Sequence, residues 1–81
     1  MVLDNLKGEI KMGKLHYYVN KNAQPTGEHE VHTENCQYLP DINNRQYLGY
    51  FDGCREAIQE AKKYYSNVDG CYYCSILCHT R

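Results

Sequence analysis

The chain has no tryptophan, a single phenylalanine and only two prolines. It also lacks an excess of either charge, with nine Lys and Arg against ten Asp and Glu. That balance argues against a general nucleic-acid binder, which would show a basic stripe, although a local basic patch remains compatible with it. No stretch of about 18 apolar residues occurs, which excludes a membrane-spanning helix. The first residues lack the apolar run of a secretory signal, so the default expectation is a cytoplasmic protein. Branched aliphatics are modest in number: four Val, six Leu and four Ile. At 81 residues this is one domain, of a size at which a hydrophobic core alone supplies only a few kcal/mol.

Tyrosine and cysteine are what the chain has in quantity, nine of the first and five of the second. Tyrosine buries area, but its hydroxyl needs water or a partner, so a core built on it is thin. A structural metal would supply the missing stability. The cysteines suggest one. His32-Thr33-Glu34-Asn35-Cys36 is answered near the C-terminus by Cys71-Tyr72-Tyr73-Cys74. One imidazole and three thiols are the number and type of ligands of a closed tetrahedral zinc site. An odd cysteine count and a C-x-x-C knuckle favour thiols and metal over a disulfide framework, with disulfides or plain reduced thiols as the alternatives.

Along the chain, residues 1–13 read as a poorly ordered leader and residues 14–81 as a single zinc-stabilised domain. Lys14 to Asn20 alternates as a strand, with Leu15, Tyr17 and Val19 on one face. Lys21 to Gly27 reads as a turn and Glu28 to Thr33 as the returning strand, with His29 and Val31 opposite His32. Cys36 to Arg45 reads as a loop. Gln46 to Phe51 is expected as a third strand, alternating Tyr47, Gly49 and Phe51 against Leu48 and Tyr50. Asp52 is placed to cap a helix that ends near Ser66-Asn67, with Cys54, Ala57, Ile58, Ala61 and Tyr65 as its apolar stripe. Asp69-Gly70 would turn the chain into the knuckle. The expected fold class is α+β: a small three-stranded antiparallel sheet, one long helix and a C-terminal zinc knuckle.

His32-x3-Cys36-x2-Leu39, Tyr50-Phe51, Glu56-Ala57 and Gly70-Cys71-x2-Cys74 together form a pattern. It resembles the zinc domain of the Ada DNA-repair methyltransferase, and more closely the small Ada-like zinc modules of bacterial proteins in which a histidine opens the first pair. The resemblance runs from Val31 to Cys74. The whole chain also resembles small bacterial proteins carrying an H-E-V-H segment and a D-G-C-x-x-C ending. It implies a zinc-centred fold with His32, Cys36, Cys71 and Cys74 as ligands. Ada's repair activity does not carry over, because His32 stands where Ada has the cysteine that accepts the methyl group. The segment between Cys36 and Cys71 is longer than in Ada, which a longer helix would explain.

Other donors have their own readings. Cys54, on the helix stripe, reads as a buried packing cysteine. Cys78 and His79 lie close enough in sequence to replace His32 at the ion. His29 reads as structural or exposed, and His16 as a surface strand residue. Four protein ligands leave no open position, so an enzyme is the weaker expectation. Three functions follow: a non-enzymatic zinc module for a protein partner or a homodimer, a nucleic-acid-contacting Ada-like module using Arg45, Arg55, Lys62 and Lys63, and a thiol redox protein using Cys71 and Cys74. The redox option is disfavoured by position, because the C-x-x-C follows a helix end instead of opening a helix, where the dipole lowers a thiol pKa.

Overall fold

Alternating Leu15, Tyr17 and Val19 do form a strand, paired on both sides. In the computed structural model, which describes residues 13–81, strand β1 is Leu15–Asn20, with Tyr17 and Val19 buried. The expected leader at 1–13 therefore lies, except for Gly13, outside the described residues. The chain reverses through a turn at Pro25–Gly27, where Gly27 takes a φ of 102° that favours glycine. It returns as β2, His29–Thr33, antiparallel to β1, with Tyr17 opposite Thr33 and Val19 opposite Val31. A short 3-10 turn, Ile42–Asn44, leads into β3, Arg45–Phe51, on the other side of β1.

β3 departs from the simple alternation. The register with β1 slips by one residue between Tyr17 and Tyr18, so that Gly49 faces Tyr17 while Tyr47 faces Tyr18. Leu48 is the extra residue of this bulge, and Gly49 carries it with a φ of 144°. The result turns Leu48 and Phe51 toward the core and leaves Tyr47 and Tyr50 exposed. A period of two cannot survive an inserted residue, which is why Phe51 parts company with Tyr47.

The helix α1, Cys54–Ala61, has only eight residues, not the long span expected. Its N-cap is Gly53 in extended conformation, and no side chain caps it; Asp52 sits one residue too early. Beyond Ala61 the ladder tightens: the Lys63 and Tyr64 amides bond three residues back, to Glu60 and Ala61. This unwinding turns Tyr65 inward, where its ring stacks on His29 at 3.7 Å and 10°. The segment between Cys36 and Cys71 holds β3, its bulge and this short helix, and no long helix.

Residues Val68–Gly70 form a fourth strand, β4, where a turn was expected. Asp and Gly have turn composition, and three residues are too few to show a strand period. β4 pairs in parallel with β2, His29 opposite Val68 and Val31 opposite Gly70, giving the order β3-β1-β2-β4. The sheet is therefore four-stranded and mixed. Ala57 and Ala61 bring α1 close against its inner face, over Tyr17, Val19, Val31 and Leu48. Leu15, Phe51, Cys54, Ile58, Tyr65 and Val68 fringe this small core. Among the described residues no helix is long and apolar enough to cross a membrane.

Candidate metal centre

Parallel pairing decides where the donors meet. Because β2 and β4 run in the same direction, the residues at and beyond their C-terminal ends emerge on the same side of the sheet. His32 lies near the end of β2, and Cys71 follows β4 directly, its amide donating to the Val31 carbonyl at 2.9 Å. Cys36 is folded back by the turn after β2, where its amide donates to the Thr33 carbonyl at 3.2 Å. The Ser75 amide closes the knuckle onto the Cys71 carbonyl at 2.9 Å, which turns Cys74 toward the same point. An antiparallel β4 would have sent the knuckle to the opposite end of the sheet.

The donor atoms of His32, Cys36, Cys71 and Cys74 all lie within 4.8 Å of one another. Cys36 Sγ is 3.9 Å from Cys71 Sγ, and Cys74 Sγ is 3.8 Å from His32 Nδ1. A tetrahedron with zinc–sulfur bonds of about 2.3 Å has sulfur–sulfur edges of about 3.8 Å, so these separations fit a zinc-sized ion. Each sulfur also accepts a backbone amide: Thr33 to Cys74 at 3.3 Å, Tyr38 to Cys36 at 3.4 Å and Tyr73 to Cys71 at 3.4 Å. On the imidazole's other side, Nε2 lies 3.7 Å from a Glu30 carboxylate oxygen. That distance is too long for a hydrogen bond, and Nδ1 is the ring nitrogen that faces the Cys74 sulfur. Donor types, spacing and backing all suit a divalent cation.

The thiols are unequal. Burial opposes ionisation of Cys74, but hydrogen bonding with His32 and the Thr33 amide outweighs it and holds this thiol down at about 6. Burial pushes Cys36 the other way, to about 12, with the neighbouring Cys74 and Cys71 adding to the rise against the Tyr38 amide. Cys71 is raised as well, first by burial. Three thiolates packed this closely repel one another, and a cation among them is what lets all three lose their protons.

Two expected donors are elsewhere. Cys78 is bonded to Cys54 in a disulfide, with 6.3 Å between the Cα atoms, so it is not a substitute ligand. Cys54 is accordingly not a free packing thiol, and the expectation of thiols without disulfides is corrected to one bridge and three free cysteines. The bridge ties the first turn of α1 to the C-terminal 3-10 turn Ile76–Cys78. Nothing in a spacing of 24 residues announces it. His79 is outside the cluster too. Its Nδ1 donates to the Gly70 carbonyl at 2.8 Å and lies 3.1 Å from Asp69 Oδ2.

That contact belongs to a polar clamp the sequence reading did not find. Asp69 is 2 % exposed, and its Oδ1 accepts both the amide (2.8 Å) and the hydroxyl (2.9 Å) of Thr80. A hydrogen bond to the Gly70 carbonyl, followed by one at the Arg81 backbone and then the Asp69 and Glu30 charges, raises the His79 pKa although burial opposes it. Gly70 has no room for a side chain: a Cβ would come within 2.6 Å of the Ser75 carbonyl oxygen and 2.8 Å of Cys78 Cβ. The D-G pair was a visible signal, but for close approach instead of a turn.

Comparison with known proteins finds no matching family model, no matching curated protein and no matching solved structure. The Ada likeness therefore rests on its short motifs alone. What the molecule presents is a small α+β domain with one helix, a four-stranded sheet and a His/Cys cluster near its C-terminus, able to coordinate a metal ion.

Proposed function

We propose that this chain is a non-catalytic binding module whose C-terminal half is held in place by one structural zinc ion on His32, Cys36, Cys71 and Cys74. The observation that carries the reading is the convergence of four soft donors, from two distant segments, to within 4.8 Å. The amide backing of every sulfur supports it, because such bonds favour thiolate ligands. All four positions of a tetrahedron are filled by protein, which leaves no place for a reacting water and favours a structural role. An Ada-type zinc arrangement without Ada's methyl transfer is part of this proposal. So is a cytoplasmic address, where the Cys54–Cys78 bridge would meet the glutathione pool.

Native mass spectrometry with elemental analysis tests the site. One zinc per chain is expected in wild type and a loss of stoichiometric zinc in Cys36→Ser; unchanged zinc in that variant would sink the ligand set. For the partner, the exposed Ile76 and Leu77 beside the knuckle favour another protein or a second copy of the chain. Sedimentation across a concentration series separates these two.

A second reading, contact with nucleic acid, is favoured by the outer face of the sheet. Tyr18, Tyr47 and Tyr50 cluster there with His16, the ring centroids 4.6 Å apart for His16–Tyr50 and 5.4 Å for Tyr18–Tyr47. Lys14 lies over Tyr50 at 5.9 Å and Arg45 over Tyr18 at 4.6 Å. Aromatic rings with adjacent cations are what single strands stack on. Anisotropy with a labelled single-stranded oligonucleotide checks it: affinity should fall with salt and weaken in Tyr47→Ala. No binding at low salt would leave the protein-partner reading alone.

A further inference from the structure

A cleft of about 320 Å³ opens beside the metal centre, with His32 and Cys71 as its floor. Tyr38, Tyr72 and Tyr73 form its walls, and Glu30, Gln24 and Asn20 complete its rim. The three tyrosines are at least half exposed, so they are not there to fill the core. Their rings face in different directions: Tyr72 and Tyr73 meet at 88° with centroids 5.2 Å apart, and Tyr38 tilts against Tyr73 at 36° and 4.7 Å.

The Glu30 carboxylate is at the rim, and among the described residues no Lys or Arg lines the cleft. His79 meets Tyr72 edge-on at 5.4 Å without joining the lining. An aromatic ring presents a negative face to a cation, and two nearly perpendicular rings beside a carboxylate surround one on several sides. An ammonium with several N–H groups keeps its water tightly. One whose hydrogens are replaced by methyl groups is poorly hydrated and gains most from such walls.

We infer that the cleft walled by Tyr38, Tyr72 and Tyr73 and closed by Glu30 is a binding site for a quaternary ammonium group. The inference goes beyond the proposed structural zinc and does not require it to be the right metal. Zinc on the knuckle would hold Tyr72 and Tyr73, the two residues between Cys71 and Cys74, in place as walls. A free small molecule and a methylated lysine side chain are the two sources that share this chemistry.

The test uses the full chain, with its metal content measured on the same sample. Choline and its neutral carbon isostere, 3,3-dimethylbutanol, are titrated while the ring protons of the tyrosines are followed by NMR. Choline is expected to shift the Tyr72 and Tyr73 resonances saturably and to bind about tenfold more tightly than the isostere. Tyr73→Ala should weaken choline about fivefold and Tyr73→Phe restore it, since the ring and not the hydroxyl makes the contact. Glu30→Gln should also weaken choline; because Glu30 lies beside His32, that variant counts only at unchanged metal content. Trimethyllysine within a peptide, compared with choline, then shows which source fits the rim better. Equal affinity for choline and the isostere would overturn the inference, as would the absence of any saturable shift in folded, metal-loaded protein. Folded protein that binds choline but holds no metal would instead overturn the zinc reading and leave the cation site standing.

Discussion

Two regions of this molecule are held together by different chemistry. The sheet and helix meet over Tyr17, Val19, Val31, Leu48, Ala57 and Ala61, a core of mainly apolar side chains. The C-terminal region, from Asp69 to Arg81, buries Asp69, Cys71 and Ser75 and is tied down by a disulfide, a His/Cys cluster and the Asp69–Thr80 clamp. Apolar burial offers no group on which a chelator, a reductant or a proton acts. Thiolates, disulfides and ion pairs respond to chelators, reductants and protons. A chain too short for a large core can thus extend its fold by cross-linking, but the extension becomes conditional.

Metal removal should break the comparison most visibly. Structural zinc contributes apparent free energies of about 10–16 kcal/mol in small domains. With a chelator, amide protection should vanish from Val68 to Arg81 and from His32 to Leu39 in hydrogen exchange, and thermal unfolding should move far down. Equal protection with and without chelator would show that the apolar core holds both regions alone.

Opening the bridge comes next. Closing a loop of this length restricts the unfolded chain by about 3 kcal/mol, so Cys54→Ala with Cys78→Ala should lower the denaturant midpoint while zinc stoichiometry is kept. Loss of zinc in this double variant would show that the two cross-links act as one.

Gly70→Ala sharpens the comparison further. Its Cβ would press on the Ser75 carbonyl and on Cys78, and overpacking of this kind costs about 1–3 kcal/mol. The expected loss is confined to the knuckle, read as faster exchange of the Ser75 and Cys78 amides while those of β1 are unchanged.

The smallest effect concerns His79. Its pKa is raised in the folded chain, chiefly by the Gly70 carbonyl, so the folded state favours the protonated ring. The stabilisation is fully present below the ordinary histidine value of about 6.5 and is lost as pH rises through the raised one. An NMR titration should show the raised midpoint in wild type and a lower one in Asp69→Asn. His79→Gln should narrow the stability difference between neutral and mildly alkaline pH.

Much of this was legible in the residues. Tyr17 and Val19 on one face of β1, and the helix stripe of Cys54, Ala57, Ile58 and Ala61, follow from side-chain periodicity, and each of them packs in or against the core. The His/Cys cluster was legible because His-x3-Cys and Cys-x-x-Cys are local spacings that can bring two donors to one ion. The bulge at Leu48 was not, since a slip in register is a property of two strands. The helix end was not either, because Tyr65 leaves the helical path for His29, 36 positions earlier in the sequence.

What the sequence determined by itself is therefore what nearest neighbours control: strands where polar and apolar residues alternate, a helix face at a 3.6-residue period, and two half-sites of soft donors. Tertiary structure alone decided that β4 pairs in parallel with β2 and so joins the half-sites, that Cys54 finds Cys78, and that three tyrosines stand around a cleft instead of filling the core. Those outcomes depend on which segments become neighbours in space, and contact between distant residues leaves no trace in the spacing of either one.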